Sequence, residues 1–177
     1  MNVAYKSGTA THATEAVVKF APVTQAYPVL TSYHITSDKA AALVKVYAAT
    51  SVMTTCDAIS AGSQAVLAVT STTGFSTDQI MIVKATGVLE YHLVSSVQAG
   101  VSLTTTANLA GATAVGDKVY QLELIGTFPC AAATVSNYGG DAGILGAGVN
   151  KPMAVVVDGT SAVTIHVASV VYTDGKC

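Results

Sequence analysis

From residue 64 onward, apolar and polar residues alternate in short runs, and each run ends at a turn signal. The runs are QAVLAV (64–69), QIMIVKA (79–85), VLEYHLVSSV (88–97), VSLTTT (101–106) and KVYQLEL (118–124). Between them lie the polar TSTTGFSTD, a Thr86-Gly87 turn, QAG and ANLAGATAVGD. This spacing predicts five short strands closing into a small barrel or sandwich over about 64–122. In the middle strand a period of two puts Leu89, Tyr91 and Leu93 on one face and Glu90 and His92 on the other. The charged face is expected to point outward, as the solvated or interfacial side of a hairpin and not as a catalytic pair.

The flanking segments, 31–63 and 123–177, read as one β-rich body that this module interrupts. Asp158-Gly159 is a strong hairpin signal, because both central positions tolerate positive φ. Its flanks, Ala154–Val157 and Val163–Val171, are valine-rich and suit strands buried on both faces or packed against another chain. LTSYHITSDKAAALVKVYAAT is ambiguous. Ala40, Leu43, Val44 and Tyr47 fit a helical stripe capped by Ser37 or Asp38, yet the extended LTSYHIT before it favours strand. Residues 1–30 hold Gly8, Pro22, Pro28 and the Thr/Ala-rich SGTATHATEA. They read as an extended arm that docks on a neighbour. The expected fold class is therefore all-β: a sandwich-like body, an inserted five-stranded barrel and an N-terminal arm.

Composition narrows the function. Only 10% of the 177 residues are charged, against about 25% in ordinary soluble domains. There are eight lysines and no arginine, and the formal charge is −2. Phosphate binding needs clustered basic side chains, so nucleic acid is not an expected partner. A surface this poor in charge is a handicap for a free monomer and suits one covered by other subunits. The longest uncharged stretches, such as 58–77, are broken by Gly, Ser and Thr, so no membrane span is expected. The first twenty residues lack an apolar core of the secretory type, which points to assembly in the cytoplasm.

No motif nominates a reaction. Nucleophile elbows of the GxSxG kind are missing. His12, His34, His92 and His166 stand apart, without the spacings of metal ligands. GGDAGILGAGVNK (139–151) is glycine-rich, but Lys151 precedes Pro152 where a phosphate loop needs Ser or Thr; a surface loop or subunit contact is expected instead. Acidic residues are too dispersed for a calcium loop. Cys56, Cys130 and Cys177 form no zinc pattern. Cys56 and Cys130 flank the module and could meet in a disulfide or stay as buried free thiols; Cys177 is expected to be free. The expected catalytic, cofactor and metal residues are accordingly none.

The layout VTSTTGFSTDQIMIV…LEYHLVSSVQAGVSLTTTANLAGATAVGDKVYQLE resembles a module of tailed-bacteriophage virion proteins. There a TTGF turn leads to a strand, then to a V-x-S-V strand, and ends at A-x-G-D-x-V-Y. The flanking YHITSDKAAALVKVY and VVVDGTSAVTIHVASVVYTDG resemble the body strands of small phage structural proteins. The resemblance implies a non-enzymatic virion component, a capsid decoration or cement protein, and transfers no catalytic residue. Its implied partners are the major capsid protein or other virion proteins, with homo-oligomerisation, as a trimer first. A tail or baseplate component, a cell-surface glycan-binding module and a hydrolase with a dispersed site are the alternatives.

Overall fold

A computed structural model describes residues 4–12, 15–37, 42–130, 135–144, 148–158 and 163–173. Among them every regular element is a strand. In chain order these are β1 (Ala4–His12), β2 (Glu15–Phe20), β3 (Tyr27–Ser37), β4 (Ala42–Thr55), β5 (Val66–Ala68) and β6 (Gln79–Val83). The rest are β7 (Leu89–Gln98), β8 (Ser102–Thr105), β9 (Lys118–Cys130), β10 (Val135–Ile144), β11 (Met153–Asp158) and β12 (Val163–Thr173). They form a four-stranded sheet, β1-β12-β3-β10, and an eight-stranded sheet, β2-β11-β4-β9-β6-β7-β8-β5. The all-β expectation holds, and the ambiguous segment is strand on both sides of residues 38–41, which lie outside the described residues along with the expected cap at Asp38.

The chain divides into two compact units, Met1–Ala48 with Leu124–Cys177, and Ala49–Glu123. In the first, Leu30, Tyr33 and Ile35 of β3 pack with Ala16, Val18 and Phe20 of β2, Val44 and Val46 of β4, and Met153, Val155 and Val157 of β11. This is a sandwich core: alternate residues of strands from two sheets turn inward and leave water together. Phe128 closes one side, its ring 6.0 Å from that of Tyr33. β11 is buried along both faces from Met153 to Val157, as its unbroken apolar run anticipates.

The N-terminal segment corrects the sequence reading. β1 pairs antiparallel with β12, and β2 pairs with β11 from Phe20↔Met153 to Glu15↔Asp158. Ala16, Val18 and Phe20 are core residues, not parts of a docking arm. EAVVKF alternates with a period of two, and it was the Thr/Ala-rich stretch before it that masked this pattern. The prolines fit the strands they adjoin. Pro22 lies in the loop after β2, and Pro28 sits second in β3, where a missing N–H does least harm.

Two turn assignments also change. β11 and β12 do not form a hairpin, for they belong to different sheets: β11 pairs with β2 and β4, β12 with β1 and β3. Gly159 itself lies outside the described residues. The signal marked a crossover between layers, since a chain leaving one sheet needs the same flexible residues as a hairpin. The glycine-rich 139–151 is not one loop. Residues 139–144 belong to β10, whose ladder with β3 steps from Gly139↔Ser32 to Ile144↔Leu30. Residues 145–147 lie outside the described residues, and Asn150, at φ 61, accepts a 2.7 Å hydrogen bond from Gln25 N–H.

In the second unit the five expected strands are β5 to β9, and the unit also takes in the end of β4 from Ala49. Leu67, Val69, Ile80, Ile82, Val94, Leu103, Leu109 and Val119 form its core with Cys56. The expected Thr86-Gly87 turn joins β6 to β7, with Gly87 at φ 85 and Lys84 N–H bonded to Val88 C=O at 3.0 Å. At the far strand, a bridge between Cys56 and Val69 and a 2.9 Å bond from Thr70 N–H to Thr55 C=O draw the end of β5 to the end of β4.

The burial of β2 gives a direct test. Phe20→Ala should lower the unfolding free energy by about 3–5 kcal/mol, measured by urea denaturation. An effect within error of zero would show that this strand is no part of the folded body.

Candidate functional site

The one place where ionisable side chains converge below the surface of the second unit is the start of β7. In β7 the burial alternates, but with the opposite sense to the sequence expectation. Glu90 and His92 are 5% and 8% exposed, whereas Leu93 is exposed and Leu89 and Tyr91 are half-buried. The register explains it: Ile82 faces Glu90 and Ile80 faces His92 across the ladder. Both isoleucines belong to the core, so the polar pair points inward.

Such burial is tolerable only if the charge is compensated. Lys84, the residue just after β6, is also buried, and its Nζ donates to Glu90 Oε1. It donates a second bond, 2.9 Å long, to Gly111 C=O. His92 Nε2 lies 3.0 Å from Glu90 Oε2. Two backbone amides complete the shell: Ala110 N–H to Oε2 at 3.0 Å and Gly111 N–H to Oε1 at 3.1 Å. Burial alone would raise the Glu90 carboxyl, but Lys84, His92 and Ala110 outweigh it and hold the group below the ordinary carboxylate value. Gly111 admits this geometry because a Cβ there would sit 3.2 Å from Lys84 Nζ.

A second acid works alike. Asp117, also buried, accepts Ala85 N–H at 2.9 Å on Oδ1 and Ala114 N–H at 2.8 Å on Oδ2. With Gly116 at φ 90, it shapes the tight turn that opens β9. The A-x-G-D-x-V-Y pattern, Ala114 to Tyr120, thus consists of turn-forming and core residues. Gly74 of the TTGF turn is similar, at φ 83 with Val52 3.0 Å from where a Cβ would stand.

The chemistry of the cluster follows from its bonding. Glu90 has an amine, an imidazole and two amides on its two oxygens, so no lone pair is left facing a substrate. It fastens the 106–117 segment to the β6–β7 hairpin. Sequence reasoning singled out Glu90 and His92 but missed Lys84 and the two amides. Lys84 was the available signal: it pairs with Val88 across residues 85–87, and standing two residues on from Ile82, the partner of Glu90, it shares that face.

The other candidates do not gather here. His34 is half-buried on β3; His12 and His166 lie on β1 and β12, and their side chains lie outside the described residues. Among the described residues no three His, Cys, Asp or Glu side chains converge as metal ligands. No helix among them is long and apolar enough to cross a membrane. Cys56 is a buried free thiol, so it is not bridged to Cys130. Burial pushes that thiol up to about 11, against a hydrogen bond with Thr113 and with help from the charge of Asp117. The side chain of Cys130, and Cys177 altogether, lie outside the described residues.

Comparison with known proteins places these features beside little. No family model matches the chain, and no curated protein matches it in sequence. Among solved structures, VP17, a capsid protein of bacteriophage P23-77, aligns over 96% of this chain and 99% of its own at 11% identity and a TM-score of 0.19. The VP16-VP17 complex of the same phage's two major capsid proteins aligns over 98% and 100%, at 8% identity and a TM-score of 0.19. The VP2 subviral particle of infectious bursal disease virus aligns over 96% of this chain and 40% of its own, at 14% identity and 0.15. Superpositions at this level do not define a common fold.

Two outcomes follow from the cluster. Glu90→Ala leaves the Lys84 ammonium buried without its partner and should cost about 3–5 kcal/mol, read from denaturant midpoints. Because the folded carboxyl titrates below its unfolded value, its contribution is present in full above the ordinary carboxylate range. It is lost as pH falls through the depressed value. The stability difference between wild type and Glu90→Ala should therefore shrink in acid; a pH-independent difference would contradict the ionic account. Cys56 should resist iodoacetamide at neutral pH in the native state and react only on unfolding, checked by mass spectrometry of the Cys56 peptide.

Proposed function

We propose that this chain is a non-enzymatic structural protein of a virion, a capsid decoration or cement protein that binds across major capsid subunits. The observation that carries the reading is the Glu90 cluster. There, among the described residues, each charge is spent on holding one loop in place. The strand-and-turn resemblance to tailed-bacteriophage virion modules supports it, since the residues carrying that resemblance are here turn-formers and core residues. The low charge and absence of arginine support it further, as they suit a surface that spends its working life covered.

In this reading the unit Ala49–Glu123 is the inserted module, with a small barrel over about 64–122, and the protein acts as a homo-oligomer with a trimer as the first state to look for. Function would be additive. Each copy buries surface against adjoining shell subunits and raises the resistance of the shell to pressure from packaged nucleic acid. The protein would be made and assembled in the host cytoplasm and be located in the virion.

Mass-spectrometric copy number in purified virions, with localisation by electron cryo-microscopy, tests this. A fixed, symmetric ratio to the major capsid protein on the head is expected. Density confined to the tail would favour a baseplate role, and absence from particles would overturn the proposal.

A further inference from the structure

We draw no further inference here: the strongest candidate, the exposed aliphatic side chains of Ile59, Val88 and Val115 on the loops at one end of the second unit, carries nothing because nothing in the structure shows what covers them.

Discussion

A carboxylate inside a small β-unit must find donors or lose its charge, and the second unit is arranged around how Glu90 does so. The partner strand fixes the direction: Ile80 and Ile82 of β6 are core residues, and pairing forces Glu90 and His92 to the same side. Lys84 then supplies the countercharge, and the loop from 106 to 117 supplies amides. That loop cannot reach Glu90 unless Asp117 turns the chain correctly, and Asp117 in turn anchors Ala85 at the start of the hairpin. One charge therefore coordinates a hairpin, a loop and the opening of β9. An ion pair of this kind adds little net stability over a well-packed apolar substitute, but breaking it halfway is costly. Its effect is to make alternative loop conformations expensive.

Much of the fold was legible because alternation and turn chemistry are local. Thr86-Gly87 announced a turn that Gly87 makes at positive φ, and five alternating runs became β5 to β9. What local patterns could not supply was the sense of a face. Glu90 and His92 read as outward because charged residues usually are. Their inward orientation depends on amides at 110 and 111, some twenty residues away. The same limit explains β11 and β12: two valine-rich strands flanking Asp-Gly look like partners, and only the competing edges of β2, β3 and β4 decide that they are not. As for the site, two of its three side chains were in view, but their role as a fastening required Lys84 and the loop.

The pairing of the chain's early strands with its late ones sets an order of events. β2 finds its ladder only on β11, and β1 only on β12, so the sandwich core cannot close until residues beyond 153 are available. The second unit has no such wait. β6 pairs with β7, β7 with β8, and β5 and β9 join from within the same stretch. Pairings between near neighbours form fast, whereas those between distant segments are slow. During synthesis the middle of the chain should thus reach its native state first, while β2 and β3 remain open edges on the growing polypeptide. Sheet-forming segments left unpaired are the ones that stick to other chains. For this protein the hazard of misassembly is concentrated in the interval between completion of the second unit and arrival of β11.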